Sequence, residues 1–142
     1  MFKEKTMYLS KECKEKIVSF LKEKFHPAFI YLFGSFAKGE GREDSDVDLA
    51  IYVPEKVRVY DLFLGANELA GEIHRDAEII DLKEISTVFA AQIVGTKEVL
   101  YCEDESLMAY YDIRALKDYA KLNEERKIVL DAIERDSRIY GP

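Results

Sequence analysis

Residues 46–53, DVDLAIYV, alternate without a slip. Val47, Leu49, Ile51 and Val53 fall on one side of an extended chain; Asp46, Asp48, Ala50 and Tyr52 fall on the other. Such a segment is a β-strand with one face in a core. Its register is fixed, because a one-residue slip would bury the carboxylates and expose the aliphatic side chains. Upstream, the apolar run AFIYLF (28–33) lies between Pro27 and Gly34 and predicts a second, buried strand. The chain therefore leaves the interior, turns through a glycine-rich loop and returns with Asp44, Asp46 and Asp48 close together. Like charges near an apolar interior are unfavourable unless a cation offsets them.

The remaining pattern supplies helices to cover such a sheet. Ser10 caps a helix whose apolar side is Cys13, Ile17, Phe20, Leu21 and Phe25, and Pro27 ends it. A second helix spans 60–74, with Leu62, Ala66, Leu69 and Ile73 on one side. AEIIDL (77–82) is a third strand, Ser86 caps a helix that Gly95 terminates, and EVLYC (98–102) is a short strand. From Glu105 to about Arg138 the pattern is helical, with a stripe of Ala109, Ile113, Leu116 and Ala120, a break at Asn123, and Leu130 and Ile133 beyond it. A segment of this length is either two helices packed on the sheet or one projecting helix that meets another chain. The alternation of strands and helices implies an α/β (α+β) sandwich: a small mixed sheet, helices packed on it and a helical C-terminus. The 142 residues suit one domain, 1–142, with a core at about 28–102 and a C-terminal helical segment at about 105–138.

Composition narrows the function classes. The formal charge is −7 with no Lys/Arg cluster, which argues against gripping a nucleic-acid backbone. Heavy Lys/Glu use with few amides is a thermophile-like composition. No apolar run approaches the ~18 residues needed to span a membrane, and the charged amino terminus, MFKEKTMYLSKECKEK, is unlike a signal peptide. A cytoplasmic location is expected. Cys13 and Cys102 belong to no CxxC pattern and read as reduced thiols; His26 and His74 have no partner at ligand spacing, which argues against zinc.

The chemistry lies in the loop and the strand after it. Asp46 and Asp48 point the same way, ~6.5–7 Å apart along the strand, a pair suited to one or two Mg²⁺ ions that share their shell with substrate phosphates. Gly34 permits close backbone approach, Ser35 offers a hydroxyl and an N–H to a phosphate, and Lys38 adds a cation. A phosphate cradle joined to a metal site describes a triphosphate-using enzyme. An EF-hand reading of Asp44 to Glu55 fails, because the sixth position is Leu49 rather than Gly and lies in a strand. For a third carboxylate, strand parity leaves two candidates: Glu78 sides with Ile80 and Leu82, Asp81 with Ala77 and Ile79.

Gly34-Ser35, ten intervening residues and Asp46-Val47-Asp48 resemble the GS–x10–DxD signature of the DNA polymerase beta nucleotidyltransferase superfamily. The wording GSFAKG…SDVDLAIYV is similar to its minimal nucleotidyltransferase (MNT) branch, over roughly residues 28–102. The resemblance implies a nucleotidyltransferase fold in which Gly34 and Ser35, with Lys38, hold the triphosphate of ATP. It implies that Asp46 and Asp48 bind Mg²⁺, two ions in all. It places Glu78 as the third catalytic or metal-binding carboxylate, where family members carry Asp, with Asp81 as the alternative. It further implies transfer of AMP to an acceptor hydroxyl, best a tyrosine of a HEPN-domain toxin for which this chain is the antitoxin. Two other readings stand beside it: a non-catalytic binding module of the same fold, and an antibiotic-type small-molecule nucleotidyltransferase. Self-association through the C-terminal stripe is a further expectation.

Overall fold

The computed structural model describes residues 6–140, with side chains through residue 136. The first five residues of the charged amino-terminal stretch lie outside the described residues. Elements follow in the order α1 (Lys11–Phe25), β1 (Phe29–Phe33), β2 (Val47–Tyr52), α2 (Val59–Ile73), β3 (Ala77–Asp81), α3 (Thr87–Thr96), β4 (Glu98–Cys102) and α4 (Glu105–Tyr140). The sheet has four strands in the order β3-β2-β1-β4. β1 runs antiparallel to both β2 and β4, whereas β2 and β3 are parallel. A parallel pair needs a crossover, and α2 supplies it.

Strand parity sorts the side chains between two cores. Val47, Leu49 and Ile51 of β2, with Ile30 and Leu32 of β1, meet Ile17 and Leu21 of α1 and Leu62 and Leu69 of α2. On the opposite face Phe29, Tyr31 and Ala50 meet Ile93 of α3, with Phe89, Met108 and Tyr111 packed around them. β1 is covered on both sides, which explains its unbroken apolar run. Ile17 and Leu21 are fully buried, each contributing roughly 1.5–3 kcal/mol by leaving water.

Helix ends follow local chemistry. Ser10 Oγ accepts from Cys13 N–H at 3.1 Å, capping α1 as expected. The same helix closes at His26, which adopts the left-handed conformation at φ 52° and donates its N–H to Lys22 O at 3.1 Å. His74 closes α2 in the same conformation. Both histidines thus sit at helix C-termini. Ser86 caps α3 through Phe89 N–H.

Three expectations need correction. Gly95 does not end α3: the helix runs through it to Thr96, and Lys97, in extended conformation, is the cap. A glycine in an exposed last turn costs only about 1 kcal/mol relative to alanine, too little to stop a helix. Nor is there a break at Asn123: α4 is one helix of 36 residues, roughly 54 Å long, so the alternative of two helices packed on the sheet falls. Its packed face is also displaced from the expected stripe. Met108, Tyr111 and Ala115 approach the sheet and α3, while Ile113 and Leu116 stay 56% and 49% exposed.

A buried polar group fastens α4 to the sheet. Tyr31 donates its hydroxyl to Asp112 Oδ1 at 2.6 Å, and Lys97 pairs with the other carboxylate oxygen while lying 4.1 Å from the Tyr31 ring centre. Burial and then the bond to Asp112 push the Tyr31 hydroxyl far above its ordinary pKa, so it stays a donor.

Candidate active site

β1 ends at Phe33, which pairs with Asp48 across the antiparallel ladder, and Gly34 follows immediately. Gly34 has φ 76°, and a Cβ built there would run into the Asp48 carboxylate. Glycine is therefore required twice at this position, by backbone conformation and by the closeness of the acid. Residues 35–39 form a turn rather than a helix start: Ser35 O accepts from Lys38 N–H at 3.2 Å and Glu40 N–H at 2.9 Å. Lys38 is exposed on this turn. An open depression beside it is lined by Ser35, Glu40, Arg42, Asp44 and Ser45, with Thr6 from the amino-terminal segment.

The aspartates stand where the loop re-enters the sheet. Asp46 is exposed just before β2, and Asp48 is half-buried within it. The parallel register sets Asp48 opposite Glu78 and Ile51 opposite Asp81. Paired residues point to the same face, so Glu78 joins Asp48 on the α3/α4 side. Asp81 takes the other side, is 8% exposed, and accepts from Lys83 N–H at 2.9 Å in the turn after β3. Sequence parity leaves these two acids equivalent; the strand register separates them.

The electrostatics agree with the geometry. Burial, then the nearby charges of Glu78 and Asp46, push the Asp48 carboxyl from 3.8 up to about 6. Three acids gathered on β2, β3 and the loop before β2 favour a hard cation. Among the described residues, however, no three His, Cys, Asp or Glu side chains close around a point as a ready-made metal cage. Such a set needs further oxygen ligands, which substrate phosphates can supply. That is how Mg²⁺ is usually held, by one or two carboxylates plus substrate phosphates.

Comparison with known proteins places the chain in a family. Residues 15–106 match the family described as Polymerase beta, Nucleotidyltransferase. The chain belongs to this nucleotidyltransferase family. It is 28% identical over 123 residues to the protein adenylyltransferase MntA of Shewanella oneidensis, covering 84% of this chain and 86% of MntA. A solved toxin–antitoxin complex with AMP-PNP contains a chain of 25% identity and TM-score 0.76, with 85% of this chain and 98% of that chain covered. The MNT antitoxin in complex with tri-AMPylated Shewanella oneidensis HEPN toxin shares the fold, at 23% identity and TM-score 0.73, over 89% of this chain and 99% of that one. Among the described residues, no helix is long and apolar enough to cross a membrane.

Arg75 and Tyr8 were not legible as parts of this region. Arg75 holds the loop from the α2–β3 connection, and the Tyr8 ring lies so close to Gly39 that any Cβ there would strike it. Neither residue belongs to a spaced motif; both act through contacts between segments far apart in sequence.

Proposed function

We propose that this nucleotidyltransferase is a Mg²⁺-dependent protein adenylyltransferase. It moves AMP from ATP to a hydroxyl of a partner protein, a tyrosine of a HEPN-domain toxin, and so acts as that toxin's antitoxin. The observation that carries this reading is the placement of Glu78 beside Asp48, next to the Gly34–Ser35 turn. The kinship with MntA and with toxin–antitoxin chains supports the acceptor class. We place the reaction in the cytoplasm, in keeping with two free cysteines.

In this mechanism the turn at Gly34 and Ser35, with the Lys38 ammonium, receives the triphosphate. Asp46 and Asp48 would hold Mg²⁺ through hard oxygen ligands, and the bound metal would offset phosphate charge. Glu78 either accepts the acceptor's proton or serves as a third ligand. The acceptor oxygen bonds to the α-phosphorus, the bond from that phosphorus to the bridging oxygen breaks, and pyrophosphate leaves. Crowded, half-buried Asp48 has the strongest need of a cation.

Incubating the chain with α-labelled ATP, Mg²⁺ and a HEPN-domain protein as acceptor tests the proposal. Label on the HEPN protein, lost with EDTA or with Asp46→Asn, is the expected result. Nucleotide binding without transfer would favour a binding module, and label on an aminoglycoside alone would move the chain to the small-molecule class.

A further inference from the structure

The segment between the phosphate turn and the aspartates has no regular secondary structure beyond one isolated bridge, yet it is fastened on two sides. Met7 and Gly41 exchange backbone hydrogen bonds at 2.8 and 3.2 Å on one side. On the other side stands Arg75, in the connection between α2 and β3. Its Nη1 donates to Arg42 O at 3.1 Å and to Glu43 O at 2.7 Å. The flat guanidinium lies 5.0 Å from the ring centre of Phe36, a fully buried side chain of the phosphate turn. Its Nη2 rests 3.8 Å from Met7 Sδ. The next residue, Asp76, accepts from Val47 N–H at 2.8 Å, between the two aspartates.

We propose that Arg75 is a positioning residue for nucleotide binding: it sets the course of loop 36–45, and thereby the phosphate turn, without touching the nucleotide. This rests on the functional reading above. Only a guanidinium offers donors for two successive carbonyls together with a planar face for an aromatic ring. The aspartates have their own anchor in the Asp76 carbonyl, which no change of the Arg75 side chain removes. Loss of Arg75 therefore acts on nucleotide affinity more than on the chemical step. A preformed loop binds a triphosphate without first being ordered, and a loosened one loses that advantage.

The test uses the full chain as wild type, Arg75→Gln and Arg75→Lys. Calorimetry with AMP-PNP and Mg²⁺ reads affinity, amide hydrogen exchange reads the loop, and transfer assays give KM and kcat. Arg75→Gln is expected to weaken AMP-PNP binding and raise the KM for ATP by about tenfold or more, with kcat changed by less than about threefold. Exchange should accelerate in residues 36–45, with the sheet unchanged. Arg75→Lys, which keeps the charge and can still reach a carbonyl, should recover part of the affinity; if Arg75→Gln does not fold, Arg75→Lys against wild type supplies the comparison. Equal binding by wild type and variants would overturn the inference alone, as would a fall in kcat with KM intact. Failure of wild type to bind AMP-PNP would overturn the functional reading, and this inference with it.

Discussion

Asp48 is disfavoured as an ion in the folded chain, because burial and the charges of Glu78 and Asp46 lift its pKa from 3.8 to about 6. The sign follows from linkage. A carboxyl with a raised folded pKa favours the fold fully below pH 3.8, and this contribution is lost as pH rises through about 6. In EDTA, Asp48→Asn should therefore melt higher than wild type at about pH 7.5, with the gap closing in acid. The same variant should abolish transfer, since the neutral amide no longer attracts the cation. Melting curves across pH check the first outcome; a wild type that melts higher throughout would contradict it. The neighbouring acids make a second pair of expectations. Glu78, in register with Asp48, should lose at least about a hundredfold in transfer as Glu78→Gln, the lower end of what a general base contributes. Asp81, engaged with Lys83 N–H on the opposite face, should lose less than about tenfold as Asp81→Asn. The reverse order in a transfer assay would assign the third carboxylate to Asp81.

Among the elements, α4 departs furthest from a helix that serves only its own core. Its first turns are held by Asp112 on Tyr31 and Lys97, and by Tyr111, whose hydroxyl donates to Leu82 O at 2.8 Å. Tyr110, Ile113 and Leu116 face solvent along the same stretch. An apolar row left outside by a helix that is already anchored is a candidate surface for a second chain. Ile113→Asp and Leu116→Asp should weaken association with the proposed HEPN partner while leaving the thermal midpoint within a few degrees, since neither belongs to the two cores. Pull-down and melting together decide it; unfolding of both variants would make the row part of the core.

For the whole molecule, the sheet with α1, α2, α3 and the start of α4 holds both hydrophobic clusters. From Glu124 to Leu130 every side chain of α4 is exposed, including Ile128, Val129 and Leu130. A helix exposed all round gains little from its own chain. Deleting residues from 124 onward should leave nucleotide binding and the melting temperature nearly unchanged and reduce partner binding. Loss of AMP-PNP binding on truncation would show that the distal helix supports the site.

What the sequence determined by itself is whatever depends on neighbours along the chain. Alternation in DVDLAIYV specified β2 and both of its faces, Ser10 and Ser86 specified helix starts, and the GS–x10–DxD spacing named the nucleotidyltransferase core. Local signals were weaker at Gly95 and Asn123, where the intrinsic cost of a poor helix former is small and the chain continues regardless. Which face of α4 packs was decided by Tyr31 and Lys97, remote side chains that claim Asp112. Strand parity could not separate Glu78 from Asp81; the tertiary structure sets them on opposite faces. Parity within one strand gives two equivalent faces, and the face that matters is set by the parallel register with β2, a hydrogen-bonded alignment between segments joined through α2.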